Sequence, residues 1–163
     1  MINDISGGLF DPLIFDVTAK NNIPYIATHI LGTPRNMQVN PFYNDVTKEV
    51  ILFLEQQTEK AIKAGIQQVI WDPGFGFGKT IEHNYTLMNN LNEFKASGYP
   101  LLVGISRKSM IYKLLNTTPD EALNGTTILN TIALLNGADI LRVHDVKEAV
   151  EAVKIVMELK KTT

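Results

Sequence analysis

Gln67-Gln68-Val69-Ile70-Trp71 runs straight into Asp72-Pro73-Gly74-Phe75-Gly76-Phe77-Gly78-Lys79-Thr80, and this junction decides the fold. The first part is apolar on successive positions, so it reads as a short strand buried on both faces, as strands of parallel sheets are. The second part puts a carboxylate at the strand's end and a glycine-rich turn after it. Working outward, residues 2–5, 23–29, 100–105 and 138–143 repeat the arrangement: a short apolar run, then polar residues. Those polar ends are Asn3-Asp4, His29, Ser106-Arg107-Lys108, and Arg142 with His144 and Asp145.

Helical patterns lie between the runs. Val46, Val50, Phe53, Leu54, Ala61 and Ile62 recur at helical spacing, with Gly65 placed to stop the helix. Leu87, Met88, Leu91 and Phe94 predict one further helix ending before Gly98. Thr118-Pro119-Asp120-Glu121 reads as a capping box that opens a helix towards Gly137, and Asp145-Val146-Lys147-Glu148 as the cap of the last helix. Strands alternating with helices imply right-handed crossovers and a parallel sheet. An open sheet would spread its polar strand ends along an edge, whereas a (β/α)8 TIM barrel gathers them on one face. The expectation is therefore α/β, of the TIM-barrel class. Such a barrel takes ~250 residues, and only about five βα units can be read here, so an incomplete barrel over a single domain, residues 1–163, is expected. About three units and their loops would then lie outside this chain, as in a fragment or a gene start placed too late.

Composition narrows the function classes. Hydrophobic residues are 45% and charged residues 20% of the chain, ordinary for a globular protein, and the net charge of −2 gives no field for nucleic acid or an anionic membrane. Cysteine is absent, which excludes disulfides and thiolate metal sites. No apolar run approaches the ~20 residues of a membrane span, and the first residues do not resemble a secretory signal, so a cytoplasmic protein is expected.

The chemistry is carried by three strand-end motifs. Asp72 through Thr80 is not a phosphate loop: Pro73 stands where that motif requires glycine, and the glycines are spaced G-x-G-x-G. Asp72 can instead accept two parallel hydrogen bonds from a planar amidine or guanidine edge. Gly104-Ile105-Ser106-Arg107-Lys108-Ser109 places cations and hydroxyls at a strand-to-helix turn, suited to an electron-rich ligand. In Arg142-Val143-His144-Asp145, alternation puts Arg142 and His144 on one side, able to meet one oxyanion. Taken singly, each has a plainer reading: a capping aspartate, a solvated basic turn, a packed histidine. Three such motifs at the same ends of separate strands argue for a site.

These motifs, in this order, resemble the dihydropteroate synthase family. Asn3-Asp4-Ile5-Ser6-Gly7-Gly8 resembles one of its strand motifs, and His29 with Gly32-Thr33-Pro34 and Met37-Gln38 another. Asp72 to Lys79, Ser106-Arg107-Lys108-Ser109 and Arg142-Val143-His144-Asp145-Val146 follow in sequence. The resemblance implies condensation of p-aminobenzoate with 6-hydroxymethyl-7,8-dihydropterin pyrophosphate in folate biosynthesis, with release of pyrophosphate, and a sulfonamide target. It implies that Asn3 and Asp72 hydrogen-bond the pterin's amino-pyrimidine edge, with Ile30, Phe77 and Gly104 also around the pterin. Lys108 would contact the pterin beside a p-aminobenzoate site formed with Phe77, Arg107 and Ser109. Arg142 and His144 would hold the pyrophosphate, and Lys108, Arg142 and His144 would be the catalytic set. Mg2+ is implied as cofactor, with its ligand expected outside this chain, and a homodimer as the complete assembly. Ile30 departs from the family's methionine and Trp71 from its usual aliphatic residue. With the expected N-terminal units and loops absent, the chain alone is expected to be inactive. The alternatives are a pterin- or folate-binding module of the methyltransferase type and a non-catalytic fragment.

Overall fold

The computed structural model describes residues 1–162. Its strands are β1 (Ile2–Asp4), β2 (Tyr25–Thr28), β3 (Val69–Asp72), β4 (Leu102–Val103) and β5 (Ile140–Leu141). Its helices are α1 (Leu13–Lys20), α2 (Val46–Lys63), α3 (Ile81–Asn89), α4 (Leu91–Lys95), α5 (Ser109–Tyr112), α6 (Leu123–Leu135) and α7 (Val146–Lys160). All strand pairs are parallel: β1–β2–β3 form one ladder and β4–β5 another, joined by a single parallel bridge between Trp71 and Leu101. Strand order thus follows chain order without the reversal of a doubly wound sheet.

The two faces of the sheet differ. Tyr25, Ala27, Val69, Trp71, Leu101 and Val103 join the large core built with helix residues such as Val50, Leu54, Leu87, Leu91 and Ala133. Ile26, Ile70 and Leu102, with Ile140 against them, form a separate cluster containing no helix residue. Because side chains alternate along a strand, these are opposite faces, and the helices cover one of them.

The predicted strands all appear, mostly shorter than expected, and β3 runs one residue past Trp71 to take in Asp72. Trp71, the unusual residue, is 1% exposed; its indole N–H donates to Thr58 Oγ1 of α2 at 2.7 Å and its ring stacks on Tyr99. The large ring is therefore both packed and satisfied. α2 begins where Asp45 accepts from Lys48 N and Glu49 accepts from Asn44 N and Asp45 N. It ends at Gly65 (φ +100), whose amide and that of Ile66 close back on the carbonyls of Ile62 and Ala61.

Three local readings need correction, and one helix is unmarked in the sequence. The helix expected through Leu87 to Phe94 is two, α3 and α4, broken at Asn90, whose side-chain amide donates to Thr47 Oγ1 of α2. The capping box at Thr118 is a turn, and α6 starts later, at Leu123; the carbonyls of Pro119 and Asp120 in that turn accept from Arg107 Nη1. Asp145 precedes α7 but caps nothing with its side chain, because its carboxylate is held by Arg107 through both oxygens, each at 2.9 Å. A bidentate charge-assisted pair outweighs one cap bond. The unmarked helix is α1: Leu13 and Val17 are exposed while Phe15 and Thr18 are buried, so no clean apolar stripe announces it.

Candidate functional site

Beyond the inner cluster of Ile26, Ile70, Leu102 and Ile140, the next residues on the same face are two positions on: Thr28, Asp72, Gly104 and Arg142. Asn3 pairs in register with Ile26 and so shares that face. Arg142 reaches back over β4 to the earlier strands. Its Nη1 donates to Asn3 Oδ1 at 2.9 Å, and its Nη2 stands 2.8 Å from Asp72 Oδ2. Gly104 makes this crossing possible, because a Cβ there would stand 2.5 Å from Arg142 Nη2.

Asp72 is fully buried. Its Oδ1 accepts from Gly74 N at 2.8 Å, which starts the glycine turn. Its Oδ2 is close to Arg142, yet no donor is well aligned with it as a hydrogen bond. Separation and alignment are different tests, so this contact is an ion pair that leaves Oδ2 able to take a directed donor. Thr28, opposite Asp72 in the ladder, is likewise fully buried with Oγ1 unpartnered. Sequence reading passed over Thr28; the signal was its place in register, which appears only once strands pair.

The glycine-rich loop is held from several sides. Lys79, 3% exposed, donates to Gly74 O at 3.0 Å and Phe77 O at 3.1 Å, and its Nζ lies 2.8 Å from His29 Nδ1. Nζ, the two carbonyl oxygens and Nδ1 thus form one buried hydrogen-bonded cluster, in which the His29 tautomer is linked to the charge on Lys79. Burial, then the Lys79 charge, pushes His29 down to about 2, so the ring is neutral at physiological pH. Burial also lowers Lys79 well below the usual lysine range, against the pull of Asp72. Gly76 N donates to Asn84 Oδ1 at 2.8 Å, Gly76 O accepts from Gln38, and Gly78 O accepts from Tyr43. Lys79, part of the sequence motif, thus pins the loop.

Lys108 follows β4. Its ammonium donates to Phe75 O and lies 4.9 Å from the Phe77 ring centre, in cation–π contact. Burial lowers it to about 8, Asp72 opposes that and Arg142 adds to it. Phe77, Arg107, Lys108 and Ser109 line a cavity of about 370 Å3 together with Met37, Phe75, Gly76, Tyr112 and Pro119. The residues expected around p-aminobenzoate therefore share one cavity. Arg107 lines it, but its guanidinium is spent on Asp145, Pro119 and Asp120. His144 is turned to Ser106, with Nδ1 3.1 Å from the hydroxyl, so it shares no partner with Arg142 here. Ile30 is buried at 3% exposure. Among the described residues no three of His, Asp or Glu are grouped to hold a metal ion. A larger depression, about 540 Å3, lies at the helix C-termini around Asn92 and Asn136, near the N-terminal ends of the strands.

The sequence profile of pterin binding enzymes matches residues 1–144. The chain belongs to that family. It is 44% identical over 157 residues to the dihydropteroate synthase of Haemophilus influenzae, a match covering 95% of this chain and 57% of that relative. The Yersinia pestis dihydropteroate synthase, solved in a sulfonamide drug complex, superposes with a TM-score of 0.96 at 42% identity, over 99% of this chain and 60% of that one. The Thermus thermophilus enzyme, solved with 6HMPPP, gives 0.91 at 38% identity over 97% and 63%. The same enzyme solved with 4-aminobenzoate gives 0.92, covering 97% and 65%. The chain thus spans about 57–65% of the length of these relatives.

Proposed function

We propose that the protein to which this chain belongs is a dihydropteroate synthase, and that the chain holds its pterin pocket. The observation that carries this is the meeting of Asn3 of β1, Asp72 of β3 and Arg142, which follows β5, on the helix-free face. Asn3 and Asp72 bind the pterin's amino-pyrimidine edge, whose paired N–H donors suit a carboxylate. Ile30, Phe77 and Gly104 complete the pterin surroundings. Phe77, Arg107, Lys108 and Ser109 form the p-aminobenzoate side, Arg107 through its position and the turn it braces. The shared cavity of about 370 Å3 supports that assignment. The arylamine nitrogen attacks the pterin methylene carbon, the C–O bond to pyrophosphate breaks, and the amine proton is lost. No protein nucleophile is needed; Lys108, Arg142 and His144 stabilise the departing charge. Lys108 and Arg142 stand around the single carboxylate of Asp72, so the site attracts anions although the chain carries −2 overall.

Sequential parallel strands with helices on one face support a five-unit portion of a TIM barrel in one domain. No helix among the described residues is long and apolar enough to cross a membrane, which is compatible with the proposed cytoplasmic location. A homodimer is proposed by resemblance. Mg2+ is proposed as cofactor by resemblance; among the described residues no three of His, Asp or Glu are grouped to hold it. The test is fluorescence titration of 6-hydroxymethylpterin into the chain and into Asp72→Asn. The variant is expected to bind more weakly by about 1.5–3 kcal/mol, the value of hydrogen bonds to a charged group. Equal affinities would remove Asp72 from the pocket.

A further inference from the structure

Asn3 and Asp72, assigned above to the pterin edge, both hold the Arg142 guanidinium. That coincidence has a chemical basis. A guanidinium is planar and presents N–H donors side by side; the amino-pyrimidine edge of a pterin is itself an N–C(NH2)–N unit with its donors in the same fork. Arg142 and a pterin therefore compete for Asn3 Oδ1 and Asp72 Oδ2. We propose that Arg142 is an internal stand-in for the pterin edge, displaced when pterin enters and thereby released to bind pyrophosphate, so that the two ligands bind cooperatively.

The inference rests on the pocket reading above and adds an order of events to it. Several features suit an exchangeable contact. The Arg142 side chain is 37% exposed whereas Asp72 is fully buried, so the guanidinium sits at the mouth of the pocket and can leave without opening the core. Its Nη2 is close to Asp72 Oδ2 without hydrogen-bond alignment, a weaker hold than two aligned N–H donors would give. The backbone of Arg142 is fixed by its amide donating to Val103 O at 2.9 Å, so the motion is confined to the side chain. Gly104 has no side chain to crowd the guanidinium where it crosses β4. Asp72 does not lose all countercharge on exchange, since Lys79 and Lys108 both feel its field. A ligand that removes the stand-in spares the next ligand that cost, which is positive coupling.

The experiment uses the chain labelled with 15N-arginine, with 6-hydroxymethylpterin and inorganic pyrophosphate as probes. Pterin is expected to shift the Arg142 Nε–H resonance, assigned by its loss in Arg142→Met, towards that of a free guanidinium. Saturating pterin is expected to tighten pyrophosphate binding about tenfold, and pyrophosphate to tighten pterin binding by the same factor. Arg142→Met, lacking the competitor, is expected to bind pterin at least as tightly as the parent chain and to show no coupling. Pterin binding that leaves the Arg142 resonance unmoved, independent affinities, or weaker pterin binding by Arg142→Met would each overturn the proposal. No pterin binding by either form would overturn the pocket reading itself, and displacement with it.

Discussion

His29 Nδ1 and Lys79 Nζ stand 2.8 Å apart in the interior, a neutral imidazole in hydrogen-bond contact with a buried lysine nitrogen. This pair joins the end of β2 to the loop after β3, and it makes stability depend on pH. The folded His29 pKa, about 2, lies below the ordinary 6.5. Between those values the unfolded chain binds the extra proton, so stability falls as pH drops through 6.5 and goes on falling towards 2. The contribution is at most about 1.4 kcal/mol per pH unit, the linkage of one proton. Urea unfolding between about pH 7 and pH 5 is expected to show a shallower acid loss for His29→Gln than for the parent chain. Identical slopes would mean that the histidine is protonated when folded.

Two glycines beside the site are predicted to behave in opposite ways. At Gly104 an added methyl meets only the far end of Arg142, which can move. Gly104→Ala is therefore expected to cost no more than about 1 kcal/mol in stability while breaking the Arg142 contacts with Asn3 and Asp72. At Gly74 the methyl would stand 1.9 Å from His29 O, on a residue with φ +69. Backbone cannot yield so easily, and Gly74→Ala is expected to cost about 2–5 kcal/mol. Thermal melts of the two variants decide this, and similar melting points would contradict it.

Arg107 takes a left-handed backbone conformation, φ +54, and ties Asp145 to the turn at Pro119 and Asp120. The Asp145 pair raises the guanidinium's pKa and lowers that of the carboxylate, first through their hydrogen bond. Lysine has one ammonium and cannot reproduce the fork. Arg107→Lys is expected to lower the melting temperature and to loosen the cavity beside Ser109, read as weaker p-aminobenzoate binding. Unchanged stability and binding would show that this bracing is dispensable.

Much was legible before any strand was paired. Strand existence followed from apolar runs, because a strand buried on both faces must be apolar at consecutive positions. Asn3, Asp72, Lys108 and Arg142 stood out as polar residues leaving such runs, and tertiary structure brings them together. Boundaries and caps were less secure. The Thr118 box and the Asp145 cap satisfy local rules, yet Arg107, 38 residues before Asp145, offers a stronger partner that no local window contains.

The sequence by itself determined the α/β alternation and which residues could do chemistry, since both depend on neighbours along the chain and on side-chain type. Only the tertiary structure decided the partnerships. It put Arg142 between Asn3 and Asp72, removed Arg107's guanidinium to Asp145, gave Lys79 the task of holding the loop, and set Thr28 beside Asp72. The physical reason is that strand register and sheet closure fix which ends meet, and both are set by contacts between residues far apart in sequence.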